Sequence, residues 1–190
     1  MKKLISIALA GFICIASAGC NSNQKKDKEV VQEVKKPVDD QPVVDTVPPT
    51  YSITAPEGWI KTDSTFKGTV HTKIASPDDG PNDRFKENIN VNSESAKGYD
   101  AKSYAEANFT SLKNEVPDVV ITDLGATTIG DIPAECYNYS FNYRGVDIKD
   151  IAWYLVKNDI GYVITATAIK STYDKFEAKF RACANTFIIK

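Results

Sequence analysis

Asp78, Asp79, Asn82 and Asp83 gather around Gly80 in one short run. Hard oxygen donors of this kind are what a calcium ion takes, so the four residues are a candidate metal site. Their spacing departs from the D-x-[DN]-x-[DN]-G loop, and the same density of Asp, Asn, Gly and Pro also makes a solvated turn; both readings stand. A hydrolase built on carboxylates alone would need a pair such as Asp78 and Asp83 to act as acid and base, and nothing in the sequence pairs them. His71 is the sole imidazole, and no G-x-S-x-G turn accompanies it, which excludes a triad hydrolase of that kind. Structural zinc needs four Cys or His ligands; beyond the N-terminal segment only His71, Cys136 and Cys183 are on offer. His71 therefore reads as a surface polar residue, and no cofactor is expected.

The elements that must position these groups are strands with two helices among them. Residues 51–53 form a first strand, stopped by Ala55-Pro56-Glu57-Gly58 with Trp59 as an apolar anchor. Residues 70–76 alternate, with Val70, Thr72 and Ile74 on one side and His71 and Lys73 on the other, which is a half-buried strand. After the polar loop 77–84, Ile89 and Val91 alternate with Asn88, Asn90 and Asn92, giving a strand with one apolar and one amide face. Asp100 opens a helix carrying Ala105, Phe109, Leu112 and Val116 at helical spacing, ended by Pro117. Strand pieces at 119–124 and 127–129 follow, then two long strands, 134–143 and 146–157, joined as a hairpin through Arg144-Gly145. A turn at 158–161 leads to 162–169, apolar on both parities as a central strand should be. Ser171 to Asp174 carries an N-cap signal for a closing amphipathic helix with Tyr173, Phe176, Phe180, Cys183 and Ala184 on one face. Strands, helix, strand meander and helix in this order argue for an α+β domain with helices packed on an antiparallel sheet.

On that frame three further sets have two readings each. Asn88, Asn90 and Asn92, with Asn138, Ser140 and Asn142 on another strand, form either an ordinary wet face or a polar surface for a ligand or partner. Tyr137, Tyr139, Phe141 and Tyr143, facing Trp153 and Tyr154 on the hairpin partner, are cross-strand core packing or an aromatic binding surface. Cys136 and Cys183 form a disulfide if the compartment is oxidising. Cys183 shares the apolar face of the closing helix, but Cys136 has the parity opposite to Tyr137 and Tyr139. If the helix covers the tyrosine side, the sulfurs lie on different faces and stay buried free thiols.

The chain has 190 residues, with 23 Lys and Arg against 25 Asp and Glu. It therefore lacks the basic surplus that a nucleic-acid partner requires. Lys2 and Lys3 precede an apolar stretch from Leu4 to Ile15 that is closed by small residues, the architecture of a secretory signal and too short to span a bilayer. Residues 21–50 hold no aromatic residue, Leu or Ile, and four prolines, Pro37, Pro42, Pro48 and Pro49. Such a composition buries too little apolar surface to offset its ordering entropy, so the segment is expected to be a tether.

Ser17-Ala18-Gly19-Cys20 resembles the lipobox of bacterial lipoproteins, in which the signal is cut before an acylated cysteine. The resemblance implies a signal peptide at 1–19, a lipidated Cys20 with a tether at 20–50, and a globular domain at 51–190. An ordinary signal with Cys20 incidental is the alternative. Asp45-Thr46-Val47 and Asp63-Ser64-Thr65 resemble a bacterial O-glycosylation pattern, with Thr46 the better placed. The stretches YSITAPEGW, FKENINV, Ile129 to Ala134 and YVITATA, followed by a Phe-rich helix and Asn185-Thr186-Phe187, resemble the PsbP-like superfamily, which includes the Mog-type import factors and bacterial lipoproteins. That resemblance implies an α/β/α sandwich around a central antiparallel sheet and roles in binding and assembly, with no catalytic set to carry over. The expectation is a non-catalytic module of the cell envelope, held to a membrane by its N-terminal lipid on the periplasmic or outer-membrane side, with an envelope protein as partner. The alternative is a small hydrolase or a ligand-binding, calcium-binding envelope protein.

Overall fold

The alternation in the sequence becomes a seven-stranded antiparallel sheet in the computed structural model, which describes residues 51–66, 69–81, 83 and 85–190. The signal segment, Cys20, the tether with Thr46, and Asn82 lie outside the described residues. In chain order the elements are β1 (Tyr51–Ser52), β2 (Ile60–Phe66), β3 (Thr69–Ala75), β4 (Asn88–Ser95), α1 (Ala101–Glu115), β5 (Val120–Ile129), β6 (Ile132–Tyr143), β7 (Val146–Lys157), β8 (Ile160–Ile169), α2 (Tyr173–Ala184) and β9 (Ile188–Ile189). The sheet runs β2-β3-β4-β8-β7-β6-β5, and β1 pairs with β9 in a separate two-stranded ladder. Arg144 and Gly145 at the first hairpin tip have φ of 51° and 84°, and Asn158 and Asp159 at the second have 53° and 61°. Two consecutive left-handed residues give the turn whose twist matches that of antiparallel strands.

Each face of the sheet carries one helix. Asp100 caps α1: its Oδ1 accepts from Ser103 N at 2.8 Å, while Asp100 N donates to Ser103 Oγ at 3.0 Å, so two orphan amides at the helix start are satisfied together. Tyr104, Ala105 and Leu112 on the buried side of α1 join Tyr137, Tyr139, Ala152, Tyr154 and Val163 in one core layer. Across the sheet, Phe180, Cys183 and Ala184 of α2 join Ile74, Ile89, Cys136, Trp153 and Ile164 in the other. Trp59 stands edge-on to Phe176 and Phe180, with ring centroids 6.3 and 6.2 Å away. The N-cap of α2 is Thr172, which makes no side-chain cap bond; its hydroxyl donates back to Ile169 O at 3.2 Å instead. The capping signal at Ser171 to Asp174 is thus not used.

Two strands were not expected from the pattern. All residues of β2 but Thr65 are exposed, so it has no apolar period to reveal it, and β9 is two residues long. The two pieces foreseen at 119–124 and 127–129 are one strand, β5, whose register with β6 shifts between Asp123 and Gly125, an irregularity of the kind that bends an edge strand.

Candidate functional site

Helix α1 lies over β6 and β7, which leaves half of its side of the sheet without a helix above it. Residues directly opposite one another on paired strands point to the same face, so the register identifies what that half presents. On β2 and β3, Thr62 stands opposite Lys73 and Ser64 opposite His71. Lys73 in turn faces Asn90 on β4. Asn90 faces Thr165 and Asn88 faces Thr167 on β8. Thr167 stands opposite Asp150 of β7, which stands opposite Tyr139. Beside the aromatic half under α1 the same face therefore carries a mainly polar strip, interrupted by Ala75 opposite Asn88, Val163 opposite Asn92 and Ala152 opposite Thr165.

Cover increases along it. Thr62 and Ser64 are exposed, His71, Lys73 and Thr165 half-buried, and at the inner end Asn88, Asn90, Asn92, Thr167 and Asp150 retain 3%, 5%, 7%, 6% and 7% exposure. Phe85, from the β3–β4 connection, is buried in the core layer of this face. The amides bond among themselves: Asn90 Nδ2 donates to Asn88 Oδ1 at 2.6 Å, and Asn88 Nδ2 to Lys86 O at 3.0 Å. His71 Nδ1 lies 2.7 Å from Asn92 Oδ1; an amide oxygen only accepts, so that nitrogen carries the proton. Ser64 stands opposite His71 in register.

Asp150 is the exception in this network. Its Oδ1 is buried with no hydrogen-bond partner, the only such side-chain atom among the described residues. Burial pushes the carboxyl up to about 7, with the Thr167 hydroxyl opposing the shift. Buried acceptors without a donor cost roughly 1–3 kcal/mol and are rare enough in folded proteins to call for an explanation.

The sequence-predicted residues are distributed differently from what was expected. The amide face of β4 is not wet, because parity identifies a face but not what covers it. Nor do its asparagines meet Asn138, Ser140 and Asn142: Asn138 stands opposite Ile151, on the α2 side of the sheet, and accepts from Tyr173 OH at 3.4 Å. His71 is half-buried rather than a surface residue. Asp78 pairs with Lys86 at 2.7 Å, and both oxygens of Asp83 accept from loop amides, Asp79 N at 3.0 Å and Phe85 N at 3.2 Å. Among the described residues no three His, Cys, Asp or Glu side chains are grouped to hold a metal ion. Tyr137, Tyr139 and Phe141 are core, as cross-strand packing requires.

The expected disulfide is not formed: Cys136 and Cys183 are both buried and free. Because α2 covers the Cys136 side of the sheet, the two belong to one core layer, so parity is not what separates them. Cys183 Sγ donates instead to Thr54 O at 3.2 Å, and Cys136 lies beside Arg181, whose charge only partly offsets the burial that pushes its thiol up to about 11. Denatured without reductant, the processed protein is expected to titrate thiols from both Cys136 and Cys183; titration of neither would mean that they are bridged in solution.

Neither a protein-family model nor a curated protein matches the sequence. Solved structures do. LpqN of Mycobacterium tuberculosis, a protein involved in cell envelope biogenesis, superposes with a TM-score of 0.60 at 17% identity, over 77% of this chain and 86% of that one. The cyanobacterial PsbP of Synechocystis sp. PCC 6803 superposes with a TM-score of 0.53 at 14% identity, over 74% of this chain and 87% of that one. The fold is PsbP-like. The α/β/α sandwich that the sequence resemblance implied is thereby in place, and on this PsbP-like frame the strip with Asp150 at its inner end is the feature that packing alone does not explain.

Proposed function

We propose that this chain is a lipid-anchored, non-catalytic binding module of the bacterial cell envelope, and that the polar half of the α1 face is its binding surface. The observation that carries the reading is the buried polar strip ending at the unpartnered Asp150 Oδ1. A sheet face serving the fold alone would be apolar where it is covered and polar where it is wet, whereas this one is polar and covered. Departures from such consistency concentrate at functional sites. The likeness to LpqN, a cell envelope biogenesis protein, supports the envelope setting, and Ser17-Ala18-Gly19-Cys20 supplies the attachment. No helix among the described residues is long and apolar enough to cross a membrane. The imidazole is held by an amide and the loop carboxylates by Lys86 and backbone amides, which favours binding over turnover.

The anchor is tested in cells. Cys20→Ser is expected to move the protein out of the detergent-extracted membrane fraction and to abolish its acyl label. Mass spectrometry of the parent protein should find an acylated Cys20 as the first residue. A mature terminus anywhere else overturns the lipid anchor.

A further inference from the structure

Of the large apolar side chains that stand exposed among the described residues, Ile60, Phe66, Val120, Leu124 and Ile188, all but Ile188 lie on β2 and β5, the two outermost strands of the sheet. An outermost strand offers its backbone N–H and C=O groups to a further strand unless something blunts it. β5 is blunted: its register shifts between Asp123 and Gly125, where Asp123 Oδ1 accepts from Gly125 N at 2.7 Å, an irregularity that bends the edge. β2 instead runs in unbroken register with β3 from Ile60 to Phe66 and contains no proline or glycine. Its charged residues, Lys61 and Asp63, are of opposite sign and two positions apart. We propose that β2 is a dimerisation edge, pairing antiparallel with β2 of a second copy of this chain about a two-fold axis at Thr62.

The side chains select the register. A two-fold axis perpendicular to the sheet keeps each face continuous across the interface, so residues of one parity meet residues of the same parity. With the axis at Thr62, Lys61 stands opposite Asp63 of the second copy, and Asp63 opposite its Lys61. Lys61 Nζ already lies 3.6 Å from Asp63 Oδ2 of its own strand, and the dimer closes two such pairs into one set of alternating charge. The same register sets Ile60 opposite Ser64 and hence diagonal to Phe66 of the second copy, within reach of an aromatic side chain. That contact forms twice and covers both exposed apolar residues of the strand. An axis at Lys61 or at Asp63 would set like charges directly opposite each other, which destabilises a strand pair, and an axis at Ser64 leaves Asp63 opposite Thr65. A foreign strand would meet the same backbone; the self-complementary order of Lys61 and Asp63 selects a second copy. Joined in this way, two seven-stranded sheets become one, with the helix-free halves of their α1 faces adjacent.

The test uses the full-length, lipid-bearing protein in detergent, with single cysteines introduced on β2 and a short bismaleimide as cross-linker. Cys136 and Cys183 are buried, and the parent protein serves as the blank. Thr62→Cys is expected to cross-link into a dimer about tenfold faster than Ser64→Cys, because position 62 faces itself across the axis while the two copies of position 64 lie roughly 14 Å apart along the strands. In the Thr62→Cys background, Lys61→Glu and Asp63→Lys should each slow the reaction about tenfold, since like charges then stand opposite each other twice. Mixing the two variants should restore the rate, because the opposed charges are again of opposite sign. Equal rates at positions 62 and 64, a faster reaction at 64, no cross-linking at either, or no rescue on mixing would overturn the dimer. If Asp63→Lys does not fold, the comparison of positions 62 and 64 decides alone. None of these outcomes bears on the α1 face as a binding surface, or on the anchor, which Cys20→Ser reads separately.

Discussion

Asp150→Asn is expected to stabilise the protein above neutral pH and to leave it little changed in acid. The carboxyl ionises near 3.9 in an unfolded chain but only at about 7 in the fold, because burial disfavours the charge. Between those values the native state holds a proton that the unfolded state has released, so stability falls as pH rises through the window and is level above it. A gap of about three units corresponds to something on the order of 4 kcal/mol. Asparagine keeps the shape, cannot ionise, and escapes the loss. Urea titrations at pH 5 and pH 8.5 should show the parent protein weakening between them and the variant flat, with the variant's Tm higher on the order of 10 °C at the upper pH. Equal destabilisation of Asp150→Asn at both pH values would show instead that the ionised carboxylate is a structural partner in the native state.

Gly161→Ala should be strongly destabilising, for a reason local to one ring. A Cβ built on Gly161 would lie 2.4 Å from Cζ of Tyr104 and 2.8 Å from both its Cε atoms. The phenol ring rests on the bare backbone of β8, where aromatic cover of a glycine stabilises a strand that lacks a side chain. The ring has little freedom to retreat: its hydroxyl donates to Glu94 Oε1 at 2.9 Å, and Tyr154 stands edge-on to it at 6.0 Å. Overpacking of this sort costs about 1–3 kcal/mol and more where backbone is involved, and removal of the ring in Tyr104→Ala should cost about 3–5 kcal/mol. The two changes touch the same contact, so the double variant should be less destabilised than their sum, by about 0.5–3 kcal/mol. Strict additivity in a double-mutant cycle from urea unfolding would show that ring and glycine do not meet.

Periodicity served this chain well where one face of an element is buried. Val70, Thr72 and Ile74, the Tyr137 to Tyr143 alternation and the Phe176, Phe180, Cys183 stripe are where the pattern puts them. It failed at β2, exposed on both sides, and at β9, too short to hold a period. The amide ladder of β4 shows a different limit: alternation told that Asn88, Asn90 and Asn92 share a face, and strand order, a nonlocal property, decided that this face is covered and that Asn138 looks the other way. Asp150 is not legible from the pattern. Its signal is present, an acid in phase with Ala152 and Tyr154 on a strand otherwise apolar at its centre, but an acid directly before an apolar run reads as the wet end of a strand until its neighbours across the sheet are known. For the thiols parity is no guide, and the hydrogen bond from Cys183 Sγ to Thr54 O is invisible in the pattern.

The short ladder between β1 and β9 sets how a pull on the protein is borne. Tyr51 is paired with Ile189 and Ser52 with Ile188, and Tyr51 packs on Phe187 and Tyr162 with ring centroids 5.3 and 6.0 Å away. Tension arriving from the N-terminal side therefore loads these two residue pairs together with the two aromatic contacts and the Tyr51 hydroxyl, which lies 3.0 Å from Thr72 Oγ1 on the α2 side of the seven-stranded sheet. The polar strip lies on the other side of that sheet. A pull on Tyr51 is thus borne at a clasp between β1 and β9 and on the α2 side of the sheet, and the face under α1 lies off that path.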